Sequence, residues 1–229
     1  MTLNISRTVK SSLADNLRED ILRGELVPGQ SIRLEEVAGR FDVSTTPVRE
    51  ALRDLEAEGL VTIFPHRGAI VTQLSPDDLR DIYDIRATLE AMATRLAVPQ
   101  MTEATLSQLL SYFEQMDSHL GEVVTLIKLN HAFHMTLYGA SGRRHLCELS
   151  SRLRYRTQHY LVAFIADIGG MPKAQAEHWA IIEACQRGEA DDAAALMFNH
   201  VDNVGNTLIE YVRQQGEASE RSQMVKNHK

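Results

Sequence analysis

Apolar residues recur at helical spacing from the start of the chain. Val9, Leu13, Leu17, Ile21 and Leu22 fall on one face, and Gly24 follows as a stop. Pro28-Gly29 predicts a turn. A short helix is expected over 34–41, with Leu34, Val37, Ala38 and Phe41 inward. Ser44 or Thr45 can cap the next helix, and Pro47 suits its first turn. That helix runs to about Glu58 and buries Val48, Ala51, Leu52 and Leu55 before Gly59 ends it. Two short β-rich runs, 60–64 and 69–74, flank Pro65-His66-Arg67-Gly68 and read as a hairpin.

Ser75-Pro76-Asp77 reads as a helix cap and as the domain boundary. Beyond it only helical periods occur, over roughly 76–98, 102–119, 122–140, 143–168, 172–187 and 189–215. The expected fold is mainly α: a winged helix-turn-helix over 1–75, an all-helical bundle over 76–215, and a polar, disordered tail over 216–229.

Composition narrows the function classes. A hydrophobic content of 44% supports a buried core. The net charge is -7, and even residues 1–75 hold nine Lys and Arg against eleven Asp and Glu. Bulk charge therefore gives no sign of a nucleic-acid partner, and any such face must come from locally placed arginines. Cys147 and Cys185 form no CxxC pair, which argues against a disulfide framework and fits a reducing cytoplasm. The N-terminus has no signal-peptide pattern, and no apolar run nears the roughly 20 residues that cross a membrane.

Helix, turn, helix and hairpin in that order describe a DNA-reading unit. The second helix of such a pair enters the major groove with its N-terminal residues at base edges. Here its outward positions are Thr45, Thr46, Arg49 and Arg53. Arg33 opens the preceding helix and is placed for a phosphate, and the His66-Arg67-Gly68 tip for the backbone or minor groove. The plainer alternative is a small helical domain in which Thr45 is only a cap and the arginines pair with Glu50 or Glu56.

The ordered string Ile32-Arg33-Leu34-Glu35-Glu36-Val37-Ala38, Phe41-Asp42-Val43-Ser44, Thr46-Pro47-Val48-Arg49-Glu50-Ala51-Leu52 and Leu55-Glu56-Ala57-Glu58-Gly59-Leu60-Val61 closely resembles the GntR family of bacterial regulators. Pro65-His66-Arg67-Gly68-Ala69 resembles its wing. The resemblance implies DNA contacts at Arg33, Thr45, Thr46, Arg49 and the His66–Gly68 tip. Thr45 stands where some members carry arginine, so base preference does not transfer. The helical remainder, with Arg86 and Glu90 in its opening helix, resembles the FadR subgroup and its shorter form of the bundle.

Asn130 and His134 lie four apart on one helix face, while His178 and His200 sit on the last two helices. Three imidazoles and an amide oxygen brought together would bind a divalent transition metal. Spacing alone leaves this open, because the chain holds nine His and separated ones commonly do unrelated jobs. Metal-binding members of the family carry Asp or Asn, a His four later, and two further His on the final helices. Asn130, His134, His178 and His200 match that arrangement, which implies a metal, zinc foremost, with nickel, iron or manganese as alternatives.

Arg86 is the candidate clamp for a carboxylate effector, the alternative being an i,i+4 pair with Glu90; Arg154, Arg156 and Asn203 are further pocket candidates. The expected partners are operator DNA, a small organic or sugar acid, and a second copy of the chain. A dimer follows because one winged helix offers few base contacts. A metal-free or acyl-thioester pocket is the alternative regulator. A metal-dependent hydrolase is the enzyme rival, disfavoured because Glu177 projects about a hundred degrees from His178 around the helix.

Overall fold

The structure, a computed structural model, describes residues 5–64, 68–168 and 172–227, with side chains over 9–64, 68–167 and 173–216. Contacts divide it into two compact units: Met1–Gln73 with Arg152–Val162, and Leu74–Ser151 with Ala163–Lys229. Among the described residues, no helix is long and apolar enough to cross a membrane.

The first unit contains α1 (Ile5–Leu22), β1 (Ser31–Ile32), α2 (Leu34–Phe41), α3 (Thr45–Ala57), β2 (Val61–Phe64) and β3 (Gly68–Val71). The strands form an antiparallel sheet in the order β1-β3-β2, with Ile32 opposite Ala69 and Ile63 opposite Ala69 on the other side. The two-residue β1 was not expected, since so short a strand leaves no periodic signal. Leu13, Leu17, Ile21, Val48, Leu52, Leu55, Leu60 and Val71 close the core. Full burial of each such side chain contributes about 1.5–3 kcal/mol. Two arginine–carboxylate pairs tie the helices together. Arg18 of α1 donates from Nε and Nη2 to Glu58 at 2.9 and 2.7 Å, and Arg40 of α2 pairs with Asp20.

The second unit contains α4 (Pro76–Ala97), α5 (Glu103–Ser118), α6 (Val123–Gly139), the ends of α7 (Arg144–Ile168), α8 (Pro172–Arg187) and α9 (Ala190–Asn227). A capping box starts α4. Ser75 Oγ accepts from the Asp78 amide at 3.1 Å, and the Asp78 carboxylate accepts from the Ser75 amide at 2.9 Å. α4 packs along α9 and also against α6, and α8 packs on α9 and α5.

Two expectations need correction. The division at residue 75 took each domain as continuous, whereas Arg152–Val162 of α7 packs with the first unit. The disordered tail from Gly216 is instead a helical continuation of α9 to Asn227. Residues 217–227 contain no proline to stop it.

Close approach of α9 to α4 depends on Gly205. A Cβ there would lie 2.6 Å from Cγ of Tyr83, whose ring is buried. Gly205→Ala gains about 0.5–1 kcal/mol of helix propensity and loses about 1–3 kcal/mol to overpacking. The urea midpoint is therefore expected to fall with the slope unchanged; an unchanged or raised midpoint would contradict this packing.

Candidate nucleic-acid interface and candidate metal centre

The α3 helix has two faces. Val48, Ala51, Leu52 and Leu55 are buried in the first unit's core, which leaves Thr46, Arg49, Glu50 and Arg53 exposed and Thr45 half-buried. Ser44 takes the N-cap position with extended backbone. Arg33, Arg49 and Arg53 line one surface groove together with Ser31, Phe64 and Gly68. Among the described residues, Arg49 and Arg53 make no ion pair with Glu50 or Glu56. Glu56 instead accepts from the Ile63 amide at 2.8 Å. Arg33 pairs with Glu36 at 3.3 Å, with both side chains about two-thirds exposed or more. Such a pair contributes little and is readily exchanged for a phosphate.

Local arginines on one groove thus supply what the net charge withholds. His66 and Arg67 lie outside the described residues. Gly68 has a φ of +83°, and a Cβ there would collide with the Ile32 carbonyl. Its place is set by the approach of β3 to β1, which its candidacy as a DNA contact did not anticipate.

In the second unit the structure brings His134, His178 and His200 together. Their ligand atoms all lie within 4.8 Å of one another, and all three side chains are buried. Each ring is held from its outer nitrogen. His178 Nδ1 donates to Gln175 Oε1 at 3.0 Å, and His200 Nδ1 donates to Glu177 Oε2 at 2.8 Å. His134 Nδ1 donates to the Tyr138 hydroxyl oxygen at 2.9 Å. With Nδ1 protonated, each Nε2 carries a lone pair.

His134 Nε2 and His178 Nε2 stand 3.3 Å apart. Two nitrogens bound to one zinc at about 2.0–2.1 Å and a tetrahedral angle stand about 3.3 Å apart. Asn130 is also buried, and its Oδ1 has no hydrogen-bond partner among the described residues. Three Nε2 lone pairs and an orphaned amide oxygen could hold a divalent transition cation, and the outer hydrogen bonds are those that commonly orient metal-bound imidazoles.

The other candidates separate. Arg86 is buried, with Nε on Glu90 Oε1 at 2.8 Å and the guanidinium carbon 4.5 Å from the Tyr83 ring centroid. Burial opposes its charge, but Glu90 together with Tyr83 and Tyr138 outweighs burial and raises its pKa. The i,i+4 pair with Glu90, the alternative to the clamp, is therefore formed, as a buried contact. Asn203 Nδ2 donates to Glu177 Oε1 at 2.8 Å and so steadies the carboxylate that holds His200. Arg154 and Arg156 fall in the α7 segment grouped with the first unit, where Arg156 lies against Gly59.

Burial raises the Glu177 pKa, but His200, Asn203 and Lys173 outweigh it and hold the carboxyl below its usual range. The base that a hydrolase would need is thus committed to orienting His200. His159 is buried in the first unit, and burial lowers its pKa to about 4, keeping it neutral. Glu90, Tyr138, Gln175 and Glu177 were not singled out as supports of the site. The i,i+4 spacing of Arg86 with Glu90 and of His134 with Tyr138 was the available signal.

Residues 9–71 match the bacterial regulatory proteins, gntR family, and residues 81–203 match the FCD domain. The HTH-type transcriptional repressor GlaR of Escherichia coli (strain K12) is 29% identical over 81% of this chain and 89% of its own. A probable D-xylose utilization operon transcriptional repressor of Paenarthrobacter nicotinovorans is 30% identical over 85% of this chain and 86% of its own. The solved structure of E. coli McbR/YncC superposes with a TM-score of 0.76 at 23% identity, covering 90% of this chain and 98% of that one; it shares the fold. With the two matches in this order over most of its length, the chain belongs to the GntR family of bacterial regulatory proteins with an FCD domain, whose members are DNA-binding transcriptional regulators and not enzymes.

Proposed function

We propose that this regulator is a repressor that senses a small carboxylate, an organic or sugar acid, at a divalent metal held by Asn130, His134, His178 and His200 in its second unit. The observation that carries the reading is the convergence of three buried imidazoles, each with its Nδ1 already engaged by a neighbouring side chain. The metal would supply positive charge and open positions for an anionic ligand. The chain's own part is to hold the imidazoles, to exclude water by burying them, and to orient the ligand with Arg86. Repression is supported by the names of the two relatives described above. A homodimer reading a palindromic site is part of the same proposal, because two copies of one small reading head multiply discrimination.

The DNA end is tested with a site selected from random-sequence DNA by the wild-type protein. Arg49→Ala is expected to keep the fold and lose about 1–3 kcal/mol of specific binding, a loss of one good base contact. Unchanged affinity at matched salt would remove Arg49 from the reading face.

The metal end is tested by elemental analysis and chelation. Purified or reconstituted wild type is expected to hold one metal per chain, and His134→Ala to lose most of that affinity while keeping effector-free operator binding. Wild type without stoichiometric metal would end the metal reading.

The effector arm calls for Arg86→Lys. Arg86→Ala would strand the buried Glu90 charge, at a cost of about 3–5 kcal/mol. In a screen of organic acids, the best binder is expected to lose affinity both on chelation and in Arg86→Lys, which keeps the charge but not the planar fork. A binder indifferent to both would overturn the bridging of metal and Arg86.

A further inference from the structure

Helix α4 carries Arg86 and Glu90 four residues apart, and α6 carries His134 and Tyr138 at the same spacing. Packing of α4 on α6 sets the two pairs face to face in the core. Hydrogen-bond directions there are tightly constrained. Arg86 Nε can only donate, so Glu90 Oε1 accepts from it. The other Glu90 oxygen, Oε2, accepts from the Tyr138 hydroxyl. A phenol has one proton, and Met197 Sδ at 3.3 Å competes for it. A thioether accepts weakly, whereas a bond to a carboxylate is charge-assisted, so the proton goes to Glu90. The Tyr138 oxygen then accepts from His134 Nδ1. His134 is left with its Nε2 lone pair toward His178.

This chain of contacts is costly to bury. Glu90 and Tyr138 are fully inaccessible, and Arg86 nearly so. A buried ion pair seldom outdoes well-packed apolar side chains in stability. Stability alone therefore gives no reason for a carboxylate at this position, whereas orientation of an imidazole does. We propose that Glu90, acting through Tyr138, is the positioning residue that sets the tautomer and direction of His134, with Arg86 holding Glu90 in place. The inference rests on the metal reading of the cluster. It also makes Arg86 and His134 ends of one hydrogen-bonded path. A carboxylate drawn to Arg86 competes with Glu90 for the guanidinium, and the change reaches the imidazole through two further hydrogen bonds.

The test combines nitrogen NMR of the histidine side chains in metal-free protein with zinc affinity measured by chelator competition. In wild type, His134 is expected to carry its proton on Nδ1. Tyr138→Phe removes only the hydroxyl; it is expected to shift the proton toward Nε2 and to weaken zinc binding by about 10–100-fold. Glu90→Gln is expected to weaken zinc binding in the wild-type background and to add less than about twofold in the Tyr138→Phe background, because it acts through that hydroxyl.

An equal loss from Glu90→Gln in both backgrounds would make Glu90 a merely structural group and overturn the proposal. Unchanged tautomer and zinc affinity in Tyr138→Phe would overturn it as well. Where Glu90→Gln does not fold, Glu90→Asp, which keeps the charge and shortens its reach, is judged by the same criterion. Wild type that binds no zinc would end the metal reading, and the tautomer comparison in metal-free protein would still decide the positioning role.

Discussion

Three imidazoles turned toward one point inside a helical core set the terms for much of the second unit. Nitrogen lone pairs facing one another at 3.3 Å repel unless something positive lies between them. They stay in that arrangement because each outer Nδ1 is anchored by a different acceptor: a phenol backed by a carboxylate, an amide, and a carboxylate. Each anchor brings its own requirement. Glu90 needs Arg86, and Glu177 needs Asn203. Arg86 in turn lies over the ring of Tyr83, against which α9 can pack only because residue 205 has no side chain. The packing of α4, α6, α8 and α9 and the polar network at their centre are thus one construction.

The first unit solves a different problem with different means. Its charge balance is slightly acidic, yet three arginines from β1's end and α3 line one groove. The apolar positions of α3 determine this, because burial of Val48, Ala51, Leu52 and Leu55 forces Arg49 and Arg53 outward. Salt screens isolated surface charges, but several cations on one groove act together on a phosphate backbone.

Much of this was legible in the chain itself. The helices of the second unit follow 3.6-residue apolar periods with Gly or Pro at their ends, so their existence and approximate bounds could be read directly. What periodicity does not carry is which polar side chain faces which. Glu177 sits next to His178 in sequence, yet it serves His200 from across the α8–α9 contact. Arg86 read as an effector clamp with a pair to Glu90 as the alternative, because i,i+4 spacing does not reveal burial. The α7 segment Arg152–Val162 belongs with the first unit, since one long helix can serve two cores and its sequence pattern does not say where the change occurs. The histidine set was proposed through family resemblance, because no local spacing links residues on three separate helices.

X-ray absorption fine structure on the protein loaded with one equivalent of zinc addresses the centre most directly, since it reads the atoms around the metal and not a downstream effect. The expected result is a first shell of three imidazole nitrogens with oxygen completing it, and no sulfur. Fewer than two imidazoles, or ligation by Cys147 or Cys185, would contradict the assignment of the buried histidines as the metal centre.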